Sequence, residues 1–507
     1  MSPYLVFVSN VTVLLAFCYV IIKKAVGGSR NKLPPSPPSI PLLGHLHLLG
    51  RFPHRSLRDL HSRYGTDGGL LFLQLGRRRT LVVSTAAAAA DLYKNHDLAF
   101  ASRVPSATVH KLSFGSNNVS FAPYGDAWRR SKKFAVVHLL SPRRADSFGL
   151  VRAAEAAALV AGVNLAAVAG EVVELRGLLY GYSNAVVTRA AAGTAGATAE
   201  KMKQLMVNST ALMSGLQLED VLPDAAAKAV RWATGLEKRL DRQVEAWDEL
   251  LSEMIAEHLE KKRDDVAGEE DLLDVLLRLR KEGTAGLELT DDRIKSIVQD
   301  MIFAGTETTS VTLEWAMAEL IRNPRAMAKL QDEVARVSNG KPTIEEDDLS
   351  RMEYLKAVLK ETLRLHPPAP LLVPHESTTA AVVQGYEIPA KTALFINAWA
   401  IGRDPTAWGD AAEEFRPERF LDGGGVTGID LRGSDYQLLP FGAGRRICPA
   451  ISFALPALEI ALASLVGHFD WKLPIGTRLD MSETPGLTTP PLTVLRLVPE
   501  CKTLLMA

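Results

Sequence analysis

Cysteine is nearly absent: Cys18, Cys448 and Cys501 are the only three in 507 residues. Three thiols cannot build a disulfide framework, so a reducing compartment is expected and each cysteine is open to another use. Net charge is absent as well, with 58 basic residues against 58 acidic ones. Without a positive excess there is little to hold a phosphate backbone, so no nucleic-acid partner is expected, although a local basic patch can hide in a neutral total. The chain carries no evident internal repeat and no convincing flavin or nicotinamide fingerprint. What remains is an ordinary globular balance, 47% hydrophobic and 23% charged, which excludes a disordered or fibrous protein. The length is a prior for about three domains at roughly 100 to 200 residues each.

Charge is also missing from one whole segment. Pro3 to Ile22 (PYLVFVSNVTVLLAFCYVII) has none, and as a helix rising about 1.5 Å per residue it matches a bilayer core. Lys23 and Lys24 follow directly, with Arg30 and Lys32 behind, and nothing basic precedes. The positive-inside rule then puts the rest of the chain in the cytosol, as an uncleaved signal anchor. A cleaved signal peptide fits less well, since the run is longer than a usual h-region and no basic n-region leads it. The sequons at Asn10, Asn118 and Asn208 are discounted, because a cytosolic body does not meet the glycosylation machinery. Leu33 to Pro41 (LPPSPPSIP) cannot continue a helix and reads as a stiff spacer that sets the body away from the bilayer. No second linker of this kind occurs; residues 263–271 and 423–434 read as surface loops. The expected organisation is an anchor over 1–22, a basic and proline-rich hinge over 23–41, and one body over 42–507.

Helical periodicity dominates that body. Thr290, Asp291 and Asp292 form a capping region, and apolar residues recur at Ile294, Ile297, Val298, Met301 and Ile302 until Pro324 stops the pattern, which predicts a helix of about 33 residues. Further helices fit Leu236–Glu260, Pro324–Val337 and Met352–Leu365, and β-like runs lie at Leu70–Leu75, Thr80–Ser84 and Ala393–Asn397. The fold class is mainly α with small β-sheets.

The most informative stretch is Pro440-FGAGRRICPAISFALPALEIALASLVGHF, where a glycine-bearing loop leads a cysteine into an apolar helix. Pro449 suits a first helical position, and a thiolate at Cys448 would then face unpaired backbone N–H groups and the positive end of the helix. Such a sulfur suits a metal; a lone cysteine otherwise packs as a small hydrophobe. Phe441, Gly444, Arg446 and Cys448 together make F-x-x-G-x-R-x-C, the haem-binding signature of the cytochrome P-450 family, which the chain resembles over nearly its whole length. It is most similar to the plant A-type microsomal haem-thiolate monooxygenases, through PPSPPSIPLLGHLHLLG, FAPYGDAWRR and LPFGAGRRICP. The resemblance implies the cytochrome P-450 fold, haem b as cofactor, and Cys448 as axial ligand of its iron. One departure is Ala450, where the family usually has glycine.

Within the long helix, Ala304-Gly305-Thr306-Glu307-Thr308-Thr309 sets glycine, a carboxylate and three hydroxyls in an apolar pattern. Poor helix formers predict a local opening or bulge there; alternatively the threonines bond back to the carbonyl four residues earlier and the glutamate is solvated. The hexapeptide is similar to the family's A-G-x-D/E-T-T element. That resemblance implies Thr308 holding a proton and water beside the iron, with Glu307 relaying protons, since each can donate and accept in turn. Glu361 and Arg364 share a helix face, and by resemblance join Arg419 of FRPERF in a buried ion network with a role in folding. The haem propionates need donors; the resemblance names Arg446, Trp128, His375 of PHES, and Lys132, where arginine is usual, so that the contact is looser or passes to Arg129 or Arg130.

The implied activity inserts one atom of O₂ into a small lipophilic, specialised-metabolism substrate, with NADPH-derived electrons delivered by a separate NADPH–cytochrome P-450 reductase or by cytochrome b5. The reductase would dock on a basic face around Arg130, Lys133 and Arg445, and the body would sit on the cytosolic side of the endoplasmic reticulum membrane, held by one span. A haem-thiolate isomerase or dehydratase, and a non-catalytic haem protein, are rivals that the presence of Glu307 and Thr308 disfavours. Family substrate-contact regions map to Ser113–Asn118, Ala304, Ala369–Val373 and Leu487–Thr489, mostly small and apolar with a few hydroxyls, and within them to Phe114, Ala304, Leu371, Val373 and Thr488. They suit a compact terpenoid, indole or phenolic compound.

Overall fold

Thr290 starts the longest element as its capping role requires: its Oγ accepts the Arg293 backbone N–H at 3.4 Å, and the helix runs from Asp291 to Arg322. In this computed structural model, which describes residues 32–502 except 194–196, 214–217, 223, 261–269, 284–285, 340, 342 and 427, that helix crosses the body. Five helices carry the residues of the site and of its supports: α1 (Asp126–Phe134), α2 (Leu175–Ala192), α3 (Asp291–Arg322), α4 (Glu353–Leu365) and α5 (Ile451–His468). Helices α2, α4 and α5 all pack on α3. Ile294, Ile302, Leu313, Trp315 and Leu320 of α3 are buried with Leu179 and Val186 of α2 and Ile460, Leu462 and Leu465 of α5. Each such side chain contributes about 1.5 to 3 kcal/mol by leaving water, so this one core dominates the folding energy. Helices at Leu236–Glu260 and Pro324–Ser338 follow their predicted bounds closely.

The β-like runs gather into one sheet. Its strands are β1 (Leu70–Leu75), β2 (Arg78–Val83), β3 (Ser102–Arg103), β4 (His375–Glu376) and β5 (Ala393–Ile396), in the order β1-β2-β5-β4-β3. β1 and β2 form a hairpin with Leu70 opposite Val83, β5 runs parallel to β2 with Ala393 opposite Thr80, and β4 is antiparallel to both β5 and β3. That last pairing sets His375 directly opposite Arg103, which brings a guanidinium and an imidazole to one edge of the central cavity.

Three expectations need correction. The proline segment is not a free spacer: Pro34 and Pro37 are buried, Pro35 O accepts the Phe72 N–H at 2.9 Å and Pro37 O bonds His45 Nε2 at 2.8 Å. Prolines donate nothing, so they suit the sheet edge they line. The anchor over 1–22 and the basic start of the hinge lie outside the described residues. Helix α3 shows no opening at Ala304–Thr309, because Thr306 and Thr308 return their hydroxyls to Ile302 O and Ala304 O, each at 2.7 Å, and Gly305 serves close packing. A Cβ on Gly305 would stand 2.7 Å from Val187 Cγ2 of α2. Finally, Pro449 is not the first helical residue, since α5 begins at Ile451 with Ala450 as its cap.

Candidate active site

The cysteine loop is shaped by glycines that cannot be replaced freely. Gly442 and Gly444 sit at φ +70° and +63°, the left-handed region that side chains with a Cβ avoid. A Cβ on Gly444 would also come within 2.3 Å of Asp97 Oδ1. The Cys448 N–H donates to Phe441 O at 2.9 Å, which folds the loop back and turns Cys448 and Phe441 into the wall of a cavity of about 260 Å³. Burial pushes the Cys448 thiol up, against the Ala450 N–H and the charge of Lys132, which pull it down. A thiolate there is therefore stabilised only once a cation faces it. Ala450 lines the same cavity.

Trp128 and Lys132 of α1, Arg446, His375 and Arg103 line the cavity too. Trp128 Nε1 donates to Val119 O at 3.0 Å, and the Arg446 guanidinium lies 3.9 Å from the centre of the Trp128 ring. Arg446 donates to Ala101 O and Ala122 O, both at 2.6 Å, and to Val119 O at 3.3 Å. Arg103 donates to Ser120 O at 2.8 Å and to Val373 O at 2.6 Å. Lys132 bonds Arg445 O. Burial and the repulsion of neighbouring cations push Arg446 down to about 8 and Lys132 to about 8, while burial pushes Arg103 to about 10 against the pull of Tyr93 and Asp300. His375, buried beside Arg103, falls well below its ordinary value. Among the described residues none of these three cations has an ion-pair partner; they are held by carbonyls.

Two buried guanidiniums, Arg103 and Arg446, and the half-buried Lys132 beside them, held by neutral acceptors, are costly, and a ligand carrying carboxylates would relieve that cost. This donor set, a thiol in an otherwise apolar wall, and Ala304, Leu372, Ile447 and Phe453 around them fit a flat apolar group with two carboxylates and a metal. The residues present therefore fit the haem that the sequence implies. The His375 Nδ1–H donates to Phe100 O at 2.9 Å, so a neutral ring has only an acceptor left at Nε2; giving a bond there needs the imidazolium form, which a neighbouring carboxylate favours.

Helix α3 presents Ile297, Asp300, Met301, Ala304 and Thr308 to the cavity, spaced as one helix face. Glu307 is turned away: it is absent from the cavity wall, its Oε1 accepts from Thr488 Oγ at 3.0 Å, and burial pushes its carboxyl up against the pull of Thr488 and Arg176. Thr488 is thus spent on Glu307 and does not line the cavity. Leu371 is displaced from the wall by Leu372, whose φ of +54° in the turn closed by Leu372 N–H to Ala369 O rotates the chain. Phe114 packs into the main core, and Val119 and Ser120 form the wall instead. Ala304 and Val373 do line it.

Outside the cavity, Glu361 and Arg364 of α4 meet Arg419 in full burial. Glu361 Oε2 accepts from Arg364 Nε at 2.6 Å, and Oε1 accepts from Arg364 Nη2 at 2.8 Å, Arg419 Nε at 2.9 Å and the Arg416 N–H at 2.7 Å. Arg364 ties this knot to Gly402 O and Ala412 O at 2.5 Å and to Glu414 O at 2.9 Å. Arg130, Lys133 and Arg445 are exposed.

Sequence reasoning missed Arg103 and Asp300. Arg103 gives no local signal, since its role comes from strand pairing. Asp300 did give one: a carboxylate four residues before Ala304 on an otherwise apolar helix face.

Comparison with known proteins puts a description to this arrangement. The family model "Cytochrome P450" matches residues 34–497. Cytochrome P450 71A9 of Glycine max is 42% identical over 92% of this chain and 93% of its own, and cytochrome P450 71A1 of Persea americana is 44% identical over 88% and 89%. Desmethyl-deoxy-podophyllotoxin synthase of Sinopodophyllum hexandrum is 39% identical over 96% and 95%. A zebrafish cytochrome P450 solved with progesterone superposes with a TM-score of 0.75 at 25% identity, over 88% of this chain and 99% of that one.

Proposed function

The chain belongs to the cytochrome P450 family and is a monooxygenase with a haem-thiolate cofactor, and from that premise we propose that it oxidises a compact lipophilic compound of plant specialised metabolism, drawing NADPH-derived electrons through a separate membrane reductase. The observation that carries the reading is Cys448 in the wall of an apolar cavity edged by the buried Arg103 and Arg446 and the half-buried Lys132, cations without ion-pair partners among the described residues. Haem, when bound, supplies reductive activation of O₂, so that substrate, O₂, two electrons and two protons become hydroxylated substrate and water.

The protein's own part is to bind, orient and move protons. Cys448 would hold the iron as its thiolate ligand, and a thiolate supplies the electron donation that haem oxygen chemistry of this kind uses. Arg103, Lys132, Arg446, Trp128 and His375 would hold the propionates, His375 as an imidazolium only if a carboxylate stands beside it, with charge-assisted bonds in place of the present carbonyl ones. Ala304, Leu372 and Val373 exclude water and hold an apolar substrate. The Thr308 hydroxyl, now given to Ala304 O at 2.7 Å, turns to orient water and pass a proton. Glu307 binds a proton more readily than a solvated glutamate because of its burial, and it delivers that proton through water, since its side chain points toward Thr488.

Further support is electrostatic. Arg130, Lys133 and Arg445 are exposed and suit an acidic reductase surface, with cytochrome b5 as a second donor. The uncharged run from Pro3 to Ile22 followed by Lys23 and Lys24 supports a single span in the endoplasmic reticulum with the body in the cytosol. A relative named as a synthase of desmethyl-deoxy-podophyllotoxin supports a specialised-metabolism substrate. The test is the ferrous-CO spectrum of the purified protein: a red-shifted Soret band is expected, and Cys448→Ser should lose it. An unshifted band in the wild type overturns the reading.

A further inference from the structure

Asp300 sits on the cavity face of α3, four residues before Ala304, and is half-buried against a segment that has no regular structure. Its Oδ2 accepts the backbone N–H groups of both Val119 and Ser120 at 3.1 Å. The carbonyls of the same two residues are also taken: Val119 O by Trp128 Nε1 and Arg446 Nη1, and Ser120 O by Arg103 Nε. Neither helix nor strand includes residues 117–123, so the side chains of Arg103, Trp128, Asp300 and Arg446 hold this wall in place. We propose that Asp300 is a positioning residue that latches the Val119–Ser120 segment to the long helix and thereby keeps the cavity wall closed over its occupant.

The arrangement explains why a carboxylate occupies an apolar helix face. One anionic oxygen satisfies two adjacent peptide N–H groups that would otherwise be orphaned in the interior, and charge-assisted bonds of this kind are stronger than neutral ones. The other three ties are of a different sort. Trp128, Arg446 and Arg103 are the donors that fit a carboxylate-bearing cofactor, so once they turn to it their hold on the Val119 and Ser120 carbonyls slackens. Asp300 is not one of those donors, so its two bonds to the segment need not be given up when a cofactor binds. The consequence for ligand retention rests on the haem-thiolate reading; the latch itself rests on the hydrogen bonds.

The experiment uses the full-length haem protein as wild type, Asp300→Asn and Asp300→Ala. Hydrogen exchange is followed on peptides spanning Val119 and Ser120, and binding spectra give the dissociation rate of phenylimidazole, a small apolar probe. In Asp300→Ala, loss of a charge-assisted tie should speed exchange at these amides by about 10- to 100-fold and phenylimidazole release by about tenfold, with the CO band per haem unchanged. Asp300→Asn should fall between, because its amide oxygen still accepts from the same N–H groups. If Asp300→Ala retains wild-type exchange and release, or if Asp300→Asn behaves as badly as Asp300→Ala, the latch is wrong. Should Asp300→Ala fail to load haem, the near-isosteric Asp300→Asn alone decides, on the same two readouts. A wild type without the red-shifted band removes the haem-thiolate reading instead, while amide exchange still judges the latch.

Discussion

Glu361→Ala offers the sharpest test of the buried ion network that ties α4 to residues 402–419. Glu361 has no solvent exposure, and Arg364 and Arg419 beside it are 1% and 6% exposed. Its two oxygens take three guanidinium N–H bonds and the Arg416 backbone N–H. Without the carboxylate, two guanidiniums face each other in the interior with only carbonyls for partners. Stranding a buried charge in this way costs about 3 to 5 kcal/mol, and the orphaned Arg416 N–H adds about 1 to 3. The sum is comparable to the whole stability of many domains, about 5 to 15 kcal/mol. Haem loading should therefore fail while polypeptide is still made. The assay is the CO-difference signal per unit of full-length protein in membranes of an expression host, where Glu361→Ala should fall to near zero. Glu361→Gln, which keeps an acceptor at the same place, should retain more. A Glu361→Ala protein with the wild-type ratio would refute the argument that this network is essential.

Three further outcomes are expected from the geometry. Thr308→Ala removes a hydroxyl from the cavity wall without disturbing the helix ladder, so NADPH consumption should persist while peroxide replaces product; unchanged coupling of NADPH to product would count against the relay. Cys448→Ser should abolish the red-shifted CO band, because an alcohol does not supply the thiolate's electron donation to the iron. Glu483 carries a pH signature: burial pushes it up, but His54 at 2.8 Å and Arg55 at 2.6 Å outweigh burial and bring it to about 2 from 4.5. A depressed carboxylate contributes stability above its unfolded value and loses it as pH falls through the folded one, so about 3 kcal/mol should be present at neutral pH and vanish between about 4.5 and 2. Urea midpoints measured down that range should fall more steeply in wild type than in Glu483→Gln, and parallel curves would contradict the assignment.

Much of the site was legible because it depends on local backbone. Gly444 must be glycine for its φ and its approach to Asp97, Cys448 follows it at fixed spacing, and Glu361 and Arg364 are neighbours on any helix. The Thr290 cap and Pro324 similarly delimit α3 without reference to anything else. The mistakes arose where a residue's meaning is set by a remote neighbour. Gly305 reads as a helix opener until Val187 is seen 2.7 Å from where its Cβ would be. Thr488 reads as a substrate contact until Glu307 is found accepting its hydroxyl.

The sequence by itself determined the class of elements, the cysteine loop and the family resemblance, since periodicity, turn chemistry and motif spacing act within a few residues. Only the tertiary structure decided which side chains share the cavity. Arg103 reaches it because β3 pairs with β4 opposite His375, Glu307 leaves it for Thr488, and Asp300 meets Val119 and Ser120 from 180 residues away. Those outcomes depend on how helices and strands far apart in the chain pack together, which the hydrophobic core dominates, and the charges then take the partners that packing leaves within reach.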